Sequence, residues 1–450
     1  MLRKLLLSLF LIASAMAQAD LLQGLKFYKN KNYDKAKTEF ESLLPLGNSG
    51  AAFNLAVMAL YGQGEPQDLV RAYAYFSLAK YLKQSGTDKA LQHIETLITP
   101  EQKQQAMLLL VQIQNNTLPP YSANELGPRP LSPLRIAHKK TEPDYPIGAA
   151  KRGITGFSVV QFVIDKEGEV VFAQTQRGLP EGVFAATSEK AIRKWKFKPG
   201  PAASIQTVRL DYSLRPLKET DDTEVPSVRL INSLQQSAWP AALNGSAEHQ
   251  YHAAAVFDYL QSEDDVYATA STAAVQPPTV ADLATKKTGF GLPMQAFSGK
   301  ALIQVNTNSQ IETVQPLLGT VPALAGTIIP GLQQGSYRIE PFDEYFGSGK
   351  PQSFATDKMY VKPLHALPQE WTSAYWLDQA ARNGMTTAQK VRAMQQPYWA
   401  TYLQQQKEPT ALGWYAIELM TQNSPQAKAA LATAKEAGFK TTSELEELFQ

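Results

Sequence analysis

Pro143-Asp144-Tyr145-Pro146, Gly153-Ile154-Thr155-Gly156, FSVVQFVID from Phe157 to Asp165, Gly168, EVVFAQTQRG from Glu169 to Gly178, Leu179-Pro180 and AIRKWKFKPG from Ala191 to Gly200 form one continuous stretch. Val159, Gln161, Val163 and Asp165 alternate with Val160, Phe162 and Ile164, and the run is rich in β-branched and aromatic residues. That pattern predicts a strand. Lys166-Glu167-Gly168 is a turn signal, and Val170, Val171 and Phe172 open a second strand, giving a hairpin. Phe184, Ile192 and Trp195 fall at helical spacing on one face, and Pro199-Gly200 stops that element. A third strand is expected over Ser204 to Leu214, where Ile205, Thr207, Arg209 and Asp211 alternate with Gln206, Val208, Leu210 and Tyr212. The unit is β-β-α-β, one sheet with one covering helix. The outermost strand carries polar and charged residues, as exposed edges do.

These residues resemble the TonB C-terminal domain family. The resemblance rests on Tyr145-Pro146, Gly153, Gly156, the Phe162–Asp165 strand with Gly168, Leu179-Pro180, Phe184, and Ala191, Trp195, Phe197 and Pro199, and it covers residues 143–215. It implies a periplasmic module that pairs its last strand with a short extended segment of a partner, usually an outer-membrane receptor. Backbone hydrogen bonds then supply affinity and alternate side chains supply selectivity. The partner-binding residues it implies are Ile205, Gln206, Thr207, Val208, Arg209 and Leu210, together with Asp144, which precedes Tyr145-Pro146. Tyr145, Pro146, Gly153, Gly156, Gly168, Phe184, Trp195, Phe197 and Pro199 are expected to be structural.

The chain has 450 residues, so two to four domains are expected. Residues 1–19 read as a secretory signal peptide. Arg3 and Lys4 are its basic end, Leu5 to Ile12 its apolar core, and Ala17-Gln18-Ala19 a cleavage site before Asp20. The alternative is an uncleaved anchor, although the apolar core is about half of what a spanning helix needs. Lys and Arg total 43 against 41 acids, and without Arg3 and Lys4 the counts are equal. A neutral mature chain argues against nucleic acid or an anionic membrane as partner. There is no cysteine, which excludes disulfides, thiolate metal sites and a cysteine nucleophile.

Residues 20–114 are helical in pattern. Leu25, Tyr28, Tyr33, Ala36, Phe40 and Leu44 fall at helical spacings. Ala51 to Ala56, Leu60-Tyr61-Gly62-Gln63-Gly64 and Arg71 to Ala79 make a second unit, in which small alanines let helices approach and Gly62 and Gly64 permit the turn. This unit resembles a Sel-one-like repeat, related to the tetratricopeptide repeat, and such repeats stack into solenoids that bind proteins. The plainer reading is a helical cap on the next domain. Residues 115–142 read as a Pro-rich linker and 216–227 as a charged one.

Residues 228–289 resume helices, with a second Sel-one-like half repeat around Ala241 to Tyr251. Residues 290–364 read as a β-rich insertion, with strands at Lys300–Val305, Ser336–Glu340 and Met359–Val361 and the rim of a small β-sandwich at Pro330–Tyr337. Residues 365–450 return to helices, with the break at Asn423-Ser424-Pro425. The fold class is therefore α+β multidomain: helical repeats, the β-β-α-β module, then a mostly helical region with a β-rich insertion.

No catalytic constellation is found, and no cofactor is implied. His249 and His252 share a helix face beside Glu248, but no third ligand follows, and partly exposed helix residues are the simpler reading. Gly347-Ser348-Gly349-Lys350 fails as a phosphate loop, because Glu344 stands where the first glycine belongs and Pro351 where Ser or Thr belongs. Lys194, Lys196 and Lys198 between Trp195 and Phe197 read as solvated lysines around core aromatics. Glu263-Asp264-Asp265 reads as a solvated turn. The expected protein is a non-enzymatic, periplasmic scaffold or adaptor, without metal or nucleic acid. It would contact envelope proteins such as an outer-membrane receptor by strand addition, and a second protein through its repeats. The alternative is an energy transducer for outer-membrane transport, anchored in the inner membrane by a retained leader.

Overall fold

The computed structural model describes residues 20–121, 135, 137–212, 234, 238–262, 290–297, 300–318, 324–328, 334–341, 356–364 and 372–450. The leader with Ala19, the 216–227 linker, Gly347–Lys350, Glu263–Asp265 and His365 lie outside them. The chain divides into two compact units. One runs to Pro120 and includes Arg382–Met385; the other is Tyr121–Ala381 with Thr386–Gln450.

The first unit is helical: α1 (Leu21–Lys29), α2 (Tyr33–Leu43), α3 (Ser49–Tyr61), α4 (Leu69–Tyr81), α5 (Thr87–Glu95) and α6 (Pro100–Asn115). The periodicity over Leu25 to Leu44 continues through a real break, because Lys31 is left-handed and Asn32 caps α2. Gly62 ends α3 at φ 64°, the turn that its sequence position requires. Ala52, Ala56, Ala72 and Ala79 are fully buried, so α3 and α4 pack closely, with Phe53 edge-on to Phe76 at 5.3 Å. Asn48 caps α3 and also donates to Asn383 Oδ1 at 2.6 Å, while Arg382 donates to the carbonyls of Leu46 and Gly47.

The second unit begins with β1 (Ala137–Lys139) and α7 (Ile147–Lys151). It continues through β2 (Gly156–Ile164), β3 (Val170–Leu179), α8 (Ala185–Ile192), β4 (Lys196–Phe197) and β5 (Ser204–Tyr212). The sheet order is β3-β2-β5, antiparallel throughout, so β2 is central and β3 and β5 are edges. The expected β-β-α-β unit is present. The helix is shorter than its spacing suggested: it ends at Ile192, and Trp195 and Phe197 lie beyond it. Phe197 donates to Gly168 O and β4 pairs with β1, which places a strand inside the stretch expected to be linker. Leaving the helix lets both rings lie on Phe162, at 6.3 and 5.7 Å, and lets the Trp195 indole donate to Thr141 O at 2.9 Å.

Next come α9 (Trp239–Leu243), α10 (Ala247–Ser262) and β6 (Phe290–Phe297), β7 (Lys300–Val305), β8 (Ile311–Leu318), β9 (Gly335–Pro341) and β10 (Thr356–Leu364). Among the described residues these strands form a single antiparallel sheet of order β6-β10-β9-β7-β8, and most of the expected sandwich rim, 330–333, lies outside them. The chain closes with α11 (Ser373–Arg382), α12 (Thr386–Ala393), α13 (Pro397–Gln405), α14 (Pro409–Thr421), α15 (Ala427–Glu436) and α16 (Ser443–Glu447).

Both faces of the β3-β2-β5 sheet are covered. Alternation sends Val160, Phe162 and Ile164 to one face, where they meet Ile192, Trp195 and Phe197 with Val208 and Leu210 at the margin. Val163 goes to the other face and, with Val171 and Phe172, meets Trp414, Ile417, Met420, Leu431, Phe439 and Leu445 of the closing helices. Trp414 Nε1 donates to Gln174 Oε1 at 2.8 Å, and Thr442 Oγ1 donates to Val171 O at 2.7 Å. The second core cannot be read from the module alone, because its partners lie more than two hundred residues downstream.

Candidate functional site: the β5 edge

β2 and β5 pair without interruption from Gly156 opposite Tyr212 to Ile164 opposite Ser204. Just past β2, Asp165 N donates to Glu169 O on the β3 side. In a regular antiparallel strand successive residues turn their N–H and C=O groups to alternate sides. Ile164, Phe162, Val160 and Ser158 therefore bond toward β5. Their partners Ser204, Gln206, Val208 and Leu210 are consumed by the ladder. The backbone groups of Ile205, Thr207, Arg209 and Asp211 point away from the sheet.

Those outward positions differ. Ile205 makes a further interaction and is not free. Among the described residues, no hydrogen bond from elsewhere in the chain reaches the backbone of Thr207 or Arg209. The opposite edge is treated differently: on β3, Thr175 N donates to Glu189 Oε1 at 2.7 Å, and Val171 O accepts from Thr442. Side chains thus cap β3 at two points, while Thr207 to Asp211 keep an open edge.

The side chains of β5 are less exposed than the polar sequence suggested. Arg209 is only 2% exposed at its side chain. Its guanidinium lies 4.0 Å over the Phe157 ring, donates to Asp211 Oδ1 at 2.8 Å and donates to Asp258 O at 2.9 Å. Asp258 on α10 also accepts from Arg177 of β3 at its Oδ1, at 3.2 Å, and its Oδ2 lies 2.9 Å from the same guanidinium. The physical reason is that a buried guanidinium needs acceptors for its charge and its N–H groups, and here a carboxylate and a carbonyl supply them. Gln206 and Ser204 are also buried; Ile205, Thr207, Val208 and Leu210 are half-buried. Asp144 is exposed, 3.7 Å from Lys190.

The motif residues have identifiable packing roles. Tyr145 lies edge-on to Phe184 and Tyr212, each at 5.7 Å, and donates to Ile154 O. Phe184 stacks on Tyr212 at 4.0 Å, and the Tyr212 hydroxyl meets Ser188 Oγ at 2.6 Å. A Cβ at Gly156 would stand 1.6 Å from Leu179 O, and one at Gly168, which has φ 99°, 2.0 Å from Phe197 O. Pro146 precedes α7 as its N-cap residue, and Gly153 is left-handed at φ 60°. Pro199 follows β4. The sequence reading missed Arg135, Arg177, Asp258 and Trp414. Only Asp258 carried a signal, as a lone acid inside the apolar run Ala253 to Leu260.

His249 Nδ1 lies 2.8 Å from Ser246 Oγ, and burial lowers the pKa of His252. Among the described residues, no group of three or more His, Cys, Asp or Glu is placed to hold a metal ion. No helix among them is long and apolar enough to cross a membrane.

Among the described residues, the module is a small antiparallel sheet with one open, regular edge and a covering helix. Residues 141–216 match the family described as Gram-negative bacterial TonB protein C-terminal, so the chain carries a TonB C-terminal domain inside a longer polypeptide. One solved structure that it resembles is titled the solution NMR structure of Pseudomonas aeruginosa TonB CTD. It shares 25% identity over 19% of this chain and 93% of that one, with a TM-score of 0.18. Comparison with curated proteins finds no match. Domains of this family interact with envelope proteins such as outer-membrane receptors.

Proposed function

We propose that this protein is a non-enzymatic periplasmic adaptor of the cell envelope that takes a short extended segment of a partner as a fourth strand beside β5. The observation that carries this reading is the outward backbone of Thr207, Arg209 and Asp211 on a regular edge, inside a domain of the TonB C-terminal family. The residues assigned to the contact are Ile205 to Leu210, with Asp144 at the flank. Backbone pairing would supply affinity, and the side chains on either face would supply selectivity. Residues 20–114 are proposed as Sel-one-like repeats that hold a second protein, and 228–289 with 365–450 as further repeat-like helices. The alanine-lined α3–α4 contact supports that assignment.

Thr207→Pro tests the docking reading. Proline removes an outward N–H without removing a β2–β5 ladder donor. The expected result is loss of partner capture with an unchanged circular dichroism spectrum. Capture at the wild-type level sinks strand addition.

Energy transduction is the second reading, favoured by the family match itself. It requires a membrane anchor. The mass of the amino terminus in protein from the native bacterium separates the two: a chain starting at Asp20 supports the soluble adaptor, and a retained Met1–Ala19 in the inner membrane supports the transducer.

A further inference from the structure

The open edge does not extend over the whole of β5. Arg135, just ahead of β1, is bound on three sides. Its guanidinium donates to Asp165 O and, at 2.5 Å, to Lys198 O. It packs over Gly200, where an added Cβ would stand 3.2 Å from Arg135 Cζ. Its main chain faces the Gln206 amide: in the orientation that satisfies both groups, Gln206 donates to Arg135 O at 3.2 Å and accepts from Arg135 N. A side-chain amide paired with both groups of one residue imitates a rung of a ladder. The adjoining β1 is fixed by its pairing with β4, Ala137 opposite Phe197 and Lys139 opposite Lys196. Ile205, the first outward residue of β5, is engaged in an interaction of its own.

We propose that Arg135 and β1 form an intramolecular strap that closes the start of the β5 edge, so that an incoming strand pairs only with Thr207–Asp211. The inference rests on the docking reading above and adds the length and pattern of the docked segment. In the usual ladder geometry, residues opposite Thr207, Arg209 and Asp211 bond to β5 and point to the α10 face. The two between them point to the α8 face, beside half-buried Val208 and Leu210. The segment that fits is therefore about five residues long, apolar at its second and fourth positions and small or polar at the others. Arg135 is a specificity-determining residue: it sets where pairing begins.

Two synthetic probes test this on the full chain: acetyl-Thr-Val-Ser-Val-Thr-amide and a nine-residue peptide that extends the same alternation past the strap. Isothermal titration would compare wild type, Arg135→Ala and the double variant Lys139→Cys with Lys196→Cys. The natural chain has no cysteine, so the engineered disulfide is the only one possible within a chain, and it locks β1 to β4. The expected result is equal affinity of wild type for both probes. In Arg135→Ala the longer probe gains about tenfold, as two or so additional backbone hydrogen bonds would give. The locked form should behave as wild type does.

A wild type that already prefers the longer probe tenfold, or an Arg135→Ala protein that treats the two alike, overturns the strap. Failure of the disulfide to form under air oxidation also overturns it, without reference to any ligand. Binding of neither probe to any form, with the disulfide formed, overturns the docking reading and the window with it.

Discussion

Asp258 and Arg209 face each other across 3.6 Å, carboxylate to guanidinium, although they belong to a helix outside the TonB C-terminal domain and to that domain's edge strand. The same carboxylate holds Arg177 on β3 at 2.9 Å, and the Phe157 ring of β2 lies beneath the Arg209 guanidinium. One acid thus links the two edges of the sheet across its central strand. The domain is built into its unit rather than suspended from it.

Removing that acid should be costly. Asp258→Ala leaves Arg209 buried without its carboxylate, and breaking a buried pair from one side costs about 3–5 kcal/mol. Urea unfolding of the full chain measures it. A loss below about 1 kcal/mol would mean that water already solvates the pair.

The closing helices should contribute as much as the module's own helix. Trp414 packs on Phe172 at 5.6 Å and donates to Gln174. Trp414→Ala is expected to cost about 3–5 kcal/mol through the cavity it leaves. Trp414→Phe keeps much of the packing and leaves Gln174 Oε1 only the longer bond from Gln176 at 3.5 Å, about 1–2 kcal/mol. Equal losses in the two variants would contradict this division between packing and hydrogen bonding.

Three glycines of the family motif should separate by mechanism. Gly156→Ala drives a Cβ into the Leu179 carbonyl and should cost about 3 kcal/mol, with Gly168→Ala similar. Gly153 has nothing within 4 Å of an added Cβ, so alanine there meets only the left-handed backbone, about 1 kcal/mol. Thermal denaturation ranks them, and a Gly153→Ala as damaging as Gly156→Ala would refute the steric account.

Acid should weaken the second unit through His252. Burial lowers its pKa, His249 adds to the effect and Glu248 opposes it. A native state that favours the neutral ring binds fewer protons than the unfolded chain. The stability it contributes is therefore complete above the ordinary histidine value, about 6.5, and lost as the pH falls through the lower native value. Urea midpoints of wild type should drop between pH 7 and pH 5 more than those of His252→Gln. A difference between the two proteins that does not change with pH removes this residue as the cause.

Much of the module was legible because its signals are local. Alternation over Phe157 to Ile164 and the Gly168 turn act within a few residues, and both stand where their patterns put them. Trp195 and Phe197 misled, because helical spacing and an extended exit from a helix put the same rings on the same core. The insertion was recognised as β-rich but not as one sheet, since pairing among Lys300–Val305, Ser336–Glu340 and Met359–Val361 is a choice between equivalent strands. Polarity along Ser204 to Leu214 suggested exposure, yet Arg209 is polar because it must meet Asp258.

By itself the sequence determined the kind of elements, the hairpin with an outer third strand and the family they resemble, because periodicity, turn chemistry and glycine sterics act over short range. Tertiary structure decided which sheet face is covered and by what, that Asp258 joins both edges, and that Arg135 shortens the open one. Those outcomes depend on side chains brought together from tens to hundreds of residues apart, where burial requires each charge and each backbone group to find a partner that no local pattern names.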